Sequence, residues 1–529
     1  MNRSSINREV VLSELVQFCE QQLNVKQACS DVPLADLGID SMDLLSLYAY
    51  LSKRLQVSFD EGSFDKSQSL SSLLDSAFSD RQRDDCRTLD LSVNSDRDSV
   101  NIDSGLIPTL ANRYSYLSHR QRNFDDWVAC CEPVVLESHF DDALLASALQ
   151  YVVSRFDALR TEVVRDDEGM FLESVSESSG LENYFAIRCP SRVRAADFPV
   201  WISKTVGEFR AGMDMRRGKI RLLCIRGCPD SHDRLVLMIH HVAADGVSLR
   251  IVSNALFRYL SLGGCPDERP APKYTAFATA YHEVNKARAN EQYRYWNTLP
   301  WDAVGTSRLD IDVDHPDNIE RYSSFVECES NIDVQSLMKD ANVTLLDRMV
   351  VATGRAYQRV FGGRYCAIAV LHHGRKSYNG VGAAGTVGWI SDVIPYVVDG
   401  FCSGREALEA AAAHGTRTGG TPGSFAYLKY FGTESISLRG VPRPQISLNY
   451  APGSKYPYDY WGVGREDVPG MLQTRSAGST QRVYLLSAGA WTQGDRVKLR
   501  WDYSSKLFDE DRIARFTRAC LDELEAPAK

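Results

Sequence analysis

Two stretches of this chain hold residues able to move protons or carry groups. Arg234 to Leu249 reads R-L-V-L-M-I-H-H-V-A-A-D-G-V-S-L, an apolar run from Leu235 to Ile239 that ends on His240 and His241, with Asp245-Gly246 close behind. The run is short, rich in branched residues and bounded by polar ones, so it predicts a buried strand with its chemistry at the end. Successive side chains on a strand point to opposite faces, so only one of the two imidazoles can look into a given cavity and the other is structural. An imidazole there can act as a general base, because its ordinary pKa lies near neutrality. Asp245 stands near the start of a new periodic run (Val247, Ile251, Leu256), where a loop brings the acid beside the histidine backbone. Two plainer readings compete: a satisfied core pair beside an N-cap aspartate, or a metal site completed by His372-His373. The second lacks the cysteines or carboxylates that usually accompany histidines on zinc.

The second stretch is L-A-D-L-G-I-D-S-M-D-L-L-S-L, Leu34 to Leu47. After Ser41, apolar residues recur at Leu44, Leu45, Tyr48, Leu51 and Leu55, which puts Ser41 in the exposed first turn of a helix. Alone, Asp-Ser before such a run is an N-cap. A helix N-terminus also suits a phosphodiester, because its free N–H groups and dipole favour negative charge.

The elements that position these residues follow from pattern and composition. A chain of 529 residues is long enough for several domain-sized units, and 44% hydrophobic with 24% charged residues is ordinary for a globular protein. A net charge of −9 without a basic stripe argues against nucleic-acid binding. No apolar stretch approaches a membrane span. Thirteen cysteines include no C-x-x-C pair, and Val11, Leu12, Leu15, Val16 and Leu23 make the N-terminus a helix and not a targeting peptide, so reduced thiols and a cytoplasmic location are expected. Residues 1–80 read as small helices. Residues 81–106 are polar, charge-mixed and aperiodic, a flexible linker. Residues 107–529 read as a long α/β region, with a helix after Asp141-Asp142, another from Val343, a buried strand running through R-Y-C-A-I-A-V-L-H-H-G-R into Arg375, and the strand-like T-V-G-W-I-S-D-V-I-P-Y-V-V. G-V-G-A-A-G at Gly380 to Gly385 lacks the preceding strand and following helix of a dinucleotide site, and neither a nucleotide-cradling loop nor a nucleophile elbow occurs.

The pattern H-H-x-x-x-D-G resembles the signature of the condensation-domain superfamily of nonribosomal peptide synthetases, related to chloramphenicol acetyltransferase. L-S-H-R-Q-R (Leu117 to Arg122), Arg155 with Arg160-Thr161, Q-Y-R-Y-W (Gln292 to Trp296) and the closing L-R-W-D-Y-S-S-K-L-F resemble further motifs of that family, with Phe156 where a histidine is usual. The resemblance implies that His241 faces the reaction channel as the catalytic base, that His240, Asp245 and Gly246 support it, that Arg375 pairs with Asp245, and that no metal takes part. The setting of Ser41 resembles an acyl or peptidyl carrier domain, in which this serine receives 4′-phosphopantetheine. The implied architecture is α/β: a small all-α carrier bundle over 1–80, the linker, and a two-lobed condensation domain over 107–529, its N-lobe at about 107–298 and its C-lobe at about 299–529.

T-V-G-W-I-S-D-V-I-P, I-S-L-N-Y-A-P-G-S and D-G-V-S lean towards epimerization domains, which need a second acid-base group. The glutamate of their E-G-H-G-R-E motif falls here on Leu371, and the tryptophan after D-G-x-S on Leu249, so two-sided proton exchange loses its second group. The expected function is therefore transfer of an acyl group from a phosphopantetheine thioester to an amine or hydroxyl, forming an amide or ester, with release of the chain where the acceptor is free, in nonribosomal peptide or hybrid polyketide biosynthesis. Main-chain N–H groups around Gly246 are the expected oxyanion donors. The expected partners are a phosphopantetheinyl transferase, a trans-acting loading enzyme or upstream synthase module, and a small-molecule or carrier-bound acceptor. A carrier-epimerization didomain and a non-catalytic recruitment domain are the competing expectations.

Overall fold

The computed structural model describes residues 8–22, 29–32, 34, 47, 51, 69–75, 106–118, 128–130, 134–136, 138–165, 171–175, 185–190, 193–211, 213, 219–265, 270–337, 343–419, 423–451, 464–465, 481–493 and 495–526. Ser41 and all of the expected linker before Leu106 lie outside the described residues. The chain divides into two units, one within Met1–Ser104 and one covering Gly105–Leu337 and Val343–Lys529.

In the first unit the helix Arg8–Gln22 buries Val11, Leu15 and Cys19, whose four-residue spacing lines one face. Leu34, Leu47, Leu51, Leu70, Leu73 and Leu74 are buried as well. Arg8 reaches across to Asp75 (Nε to Oδ1, 2.6 Å) and Ser71 (Nη2 to Oγ, 2.9 Å).

The second unit is α/β. Its strands are β1 (Ile107–Pro108), β2 (Val128–Cys130), β3 (Val134–Val135), β4 (Thr161–Arg165), β5 (Phe171–Val175), β6 (Phe185–Arg188), β7 (Ile220–Ile225) and β8 (Arg234–His240), then β9 (Ser323–Glu329), β10 (Tyr365–His372), β11 (Asp392–Asp399), β12 (Ile446–Ala451), β13 (Gly464–Arg465), β14 (Leu486–Gln493) and β15 (Arg496–Ser504). Three sheets result: β1-β5-β4, then β13-β3-β8-β7-β6 with β2 also on β8, then β11-β10-β12-β14-β15-β9.

β8 is buried at every residue, which explains its continuous apolar run: strands occupy both of its edges and its two faces pack into separate cores. Leu235, Leu237 and Ile239 join the larger core, to which the helices Asp142–Arg155, Gly246–Leu262 and Tyr274–Trp296 contribute, while Val236 and Met238 join a smaller one with the helix Phe198–Ala211. In the later sheet β15 alternates, burying Val497, Leu499, Trp501 and Tyr503. The helices Leu345–Phe361 and Glu510–Glu525 pack on each other and against this sheet, the first opened by a capping box between Thr344 and Asp347. β13, which lies between two strands of the later sheet in the chain, instead pairs antiparallel with β3 of the earlier one.

One expectation is corrected. The strand-like stretch from Thr386 to Val398 enters a sheet only at Asp392, and Thr386 to Ser391 run as turn and loop. Their backbone polar groups bond elsewhere: Gly388 to the Ser248 hydroxyl, Ile390 and Ser391 to the Asp245 carboxylate. Pro395 is tolerated within β11 because β11 is the sheet edge.

Candidate active site

β8 delivers His240 as its last residue, and His241 opens a short 3₁₀ turn, His241–Ala243. His240 is buried, and its Nδ1 accepts from the backbone N–H of Val242 (3.1 Å), which leaves the proton of the neutral ring on Nε2. Its own N–H donates to the carbonyl of Lys219 (2.7 Å). It therefore shapes the turn. His241 is half-buried, and its ring centroid lies 4.5 Å from that of Trp389 at an interplanar angle of 53°. Burial holds the His241 imidazole below its usual pKa, against the opposing pull of the residue's own backbone and the charge of Asp245. The ring is thus neutral at neutral pH, as a proton acceptor must be.

Asp245 is the N-cap of the helix Gly246–Leu262: its Oδ1 accepts from Ser248 N (2.8 Å). The same oxygen accepts from Arg375 Nη2 (2.8 Å), and Oδ2 accepts from Ile390 N (3.1 Å) and Ser391 N (2.9 Å). Burial alone would raise the carboxyl pKa, but the Arg375 guanidinium and these hydrogen bonds outweigh it and hold the group ionised below the usual carboxylate range. Arg375 is buried too, and its Nη1 donates to the carbonyls of Ala383 (2.8 Å) and Thr386 (2.6 Å). Both terminal nitrogens of the guanidinium are engaged, and removal of either partner of such a buried pair leaves an uncompensated charge.

Ser248 completes the joint. Its hydroxyl donates to Gly388 O (2.7 Å) and accepts from Gly388 N (3.0 Å) and Arg375 Nη2 (2.9 Å). Two glycines permit the close approach. Gly374 has φ +66°, and a Cβ there would stand 2.1 Å from Ile390 O, while one on Gly388 would stand 2.5 Å from Tyr274 Cδ2. Gly246, by contrast, is exposed at the first turn, and a Cβ there would meet nothing within 4 Å, so open space lies beside that residue.

Of the residues singled out by sequence, His240, His241, Asp245, Gly246 and Arg375 come together in one joint. Leu371 pairs with Val393 across the sheet, is 36% exposed and has no proton to exchange. His372 and His373 stack on each other at 4.4 Å, and their Nδ1 atoms accept from Gly374 N and Arg375 N (both 3.1 Å). Among the described residues no group of three or more His, Cys, Asp or Glu side chains is arranged to hold a metal, and no helix is long and apolar enough to cross a membrane.

Sequence reading missed Trp389, Ser248 and Asn112, whose Nδ2 donates to Trp389 O (3.0 Å) and to Ser391 O. It also missed a buried charge cluster around β4 and β5: Arg113 and Glu173 pair at 2.7 Å, the Tyr274 hydroxyl donates to Glu173 (3.2 Å), and Lys219 Nζ donates to Thr161 Oγ1 (3.0 Å). Burial, reinforced by Arg113 and opposed by Glu173, pushes the Lys219 amine down to about 7. Nothing in a one-residue window announces such a cluster.

Comparison with known proteins adds independent findings. The family model described as the condensation domain matches residues 119–529, and that of the phosphopantetheine attachment site matches residues 13–76. Similar curated proteins include surfactin synthase subunit 2 of Bacillus subtilis strain 168 (24% identical over 400 residues, 72% of this chain and 11% of that one) and bacitracin synthase 3 of Bacillus licheniformis (22% over 417 residues, 73% and 6%). The chain spans about a tenth or less of the length of these relatives. Similar folds include the epimerization domain from the third module of tyrocidine synthetase B (TM-score 0.65, 17% identity, 79% of this chain and 96% of that one) and the condensation domain from Monacolin K polyketide synthase (0.59, 13%, 79% and 96%).

Proposed function

The chain belongs to the condensation-domain family, and from that premise we propose that it transfers an acyl group from a carrier-bound thioester to an amine or hydroxyl, forming an amide or ester. The phosphopantetheine attachment domain at residues 13–76 bears its cofactor covalently on a serine, and Ser41 is the serine we assign. When bound, the arm supplies the thiol on which the acyl group rides. We take 1–80 as the carrier module, 81–106 as its linker and 107–529 as the condensation module, with lobes meeting near residue 298.

The observation that carries this reading is a neutral, half-buried imidazole at the end of a strand, in the field of an ionised carboxylate paired with a buried arginine. His241 Nε2 takes the proton of the acceptor's N–H or O–H as the nitrogen or oxygen bonds to the acyl carbon. Main-chain N–H groups at the start of the Gly246 helix stabilise the oxyanion. As the carbon–sulfur bond breaks, the imidazolium returns the proton to the departing thiolate, so the enzyme ends as it began. Asp245 helps by its charge, which favours the transient imidazolium. General-base assistance of this kind contributes typically 10²–10⁴-fold. Leu371, standing where a second proton donor would be needed, supports acyl transfer over epimerization. The proposed partners are a phosphopantetheinyl transferase, a loading enzyme or upstream module acting in trans, and a free or carrier-bound acceptor, the free acceptor giving chain release.

The test loads the full chain with a panel of acyl-pantetheine groups and offers amines and alcohols while intact mass is followed. Loss of the acyl group with a matching new conjugate, abolished in His241→Ala although loading persists, is the expected result. Equal transfer by the variant, inversion of a retained aminoacyl group, or no change in either protein overturns the reading.

A further inference from the structure

Asp245 holds the backbone of Ile390 and Ser391, Ser248 holds both polar groups of Gly388, and Asn112 holds the carbonyls of Trp389 and Ser391. The four-residue segment Gly388 to Ser391 is therefore fixed on both sides of Trp389 by three side chains, and Trp389 is the member of that segment whose ring lies against His241. We propose that Trp389 is a positioning residue, its indole held by the Asp245–Ser248–Asn112 clamp so as to set the plane in which the His241 imidazole presents Nε2 to the acceptor.

Three observations carry this. First, Asp245 has four hydrogen-bond donors, and none is the imidazole, so the carboxylate cannot orient the ring by the direct bond that a triad acid makes. Secondly, a ring centroid distance of 4.5 Å with a tilt of 53° is a packed aromatic contact, and a ring so packed loses the rotation about its terminal torsion that an open site would leave it. Thirdly, the clamp is costly to build for packing alone. It engages a buried carboxylate, a buried arginine and a serine hydroxyl that makes three hydrogen bonds, and it requires glycine at both 374 and 388. The charge known to act on the ring is that of Asp245, and Trp389 brings no charge of its own.

The role rests on the proposed chemistry of His241, and its test has a readout that does not depend on transfer. In the full-length chain labelled with 13C,15N-histidine, the His241 ring signal, identified by its loss in His241→Gln, is titrated in wild type, Trp389→Phe, Trp389→Leu and Trp389→Ala. Loss of the covering indole returns solvent to the ring, so the midpoint in Trp389→Ala moves up by about one pH unit towards the ordinary imidazole value. Trp389→Phe keeps the wild-type midpoint, and Trp389→Leu, which retains bulk without a ring face, falls between. For the acyl and acceptor pair found active in wild type, kcat of Trp389→Ala falls on the order of 10- to 100-fold with KM little changed, as for a misplaced base. A Trp389→Ala or Trp389→Leu protein that melts as wild type yet keeps the wild-type His241 midpoint overturns the positioning role. Should wild type transfer nothing, the functional reading falls, and the titration still decides whether Trp389 governs the ring.

Discussion

Asp245 and His241 stand four residues apart, yet the carboxylate of the first gives its hydrogen-bonding capacity to Arg375, Ser248, Ile390 and Ser391 and reaches the imidazole of the second through charge alone. The acid of this motif is a girder for a joint between distant segments, and the expected effects of mutation follow from that.

Arg375→Met leaves the Asp245 carboxylate buried without its cation. The expected loss is about 3–5 kcal/mol of stability, the usual consequence of removing one partner of a buried pair. Asp245→Asn in the same chain recovers part of it, because the stranded charge is then gone. Urea unfolding of the two single variants and the double variant measures this coupling.

His241→Gln lowers transfer by about 10²–10⁴-fold while carrier loading is unaffected. In wild type the acid limb of the rate against pH lies below the ordinary imidazole value of about 6.5, because burial disfavours the charged ring. The base must be neutral, so activity is lost as pH falls through that limb and is retained above it. A limb above the ordinary value would contradict the burial seen here.

Gly374→Ala places a Cβ against Ile390 O in a backbone conformation with φ +66°. Left-handed geometry alone costs about 1–2 kcal/mol for a side chain, and the collision adds to it. The melting temperature falls, and transfer falls with it, because the displaced carbonyl belongs to a residue held by Asp245. Gly246→Ala, where a Cβ meets nothing, is the matched control for stability.

Lys219 contributes a pH dependence of stability. Its folded value of about 7 lies below an unfolded value near 10.4, so between the two the unfolded chain binds more protons and stability rises with pH. Lys219→Met removes that contribution. The urea midpoint of wild type is expected to climb from pH 7 to pH 9 more steeply than that of the variant, and parallel curves would place the lysine's charge elsewhere.

How far the site could be read without coordinates depends on whether its parts are local. β8, the turn after it and the N-cap at Asp245 are contiguous, and a short apolar run followed by Asp-Gly announces them. The pairing of Arg375 with Asp245 was visible through family resemblance alone, since nothing in the chain between them forecasts contact. Trp389 and Ser248 entered only as letters of the T-V-G-W-I-S-D-V-I-P and D-G-V-S stretches, with no role of their own, and Asn112 did not enter at all. The stretch that carries Trp389 has the β-branched and aromatic composition of a strand, yet a carboxylate and a hydroxyl from the motif loop take the amides that a neighbouring strand would have used. Side-chain competition for backbone amides leaves no periodic trace. Ser41 and the linker stand outside the described residues, and their assignment stays with the family model that spans 13–76.

The pairing of β13 with β3 bears on how the chain matures. A strand near residue 135 waits for a partner encoded near residue 465, so the earlier sheet leaves the ribosome one member short and stays so until the chain has been made as far as Arg465. A fragment ending before Gly464 would carry a bare strand edge open to pairing with a second nascent copy, which makes truncation in that interval a route to aggregates even where each preceding element is sound.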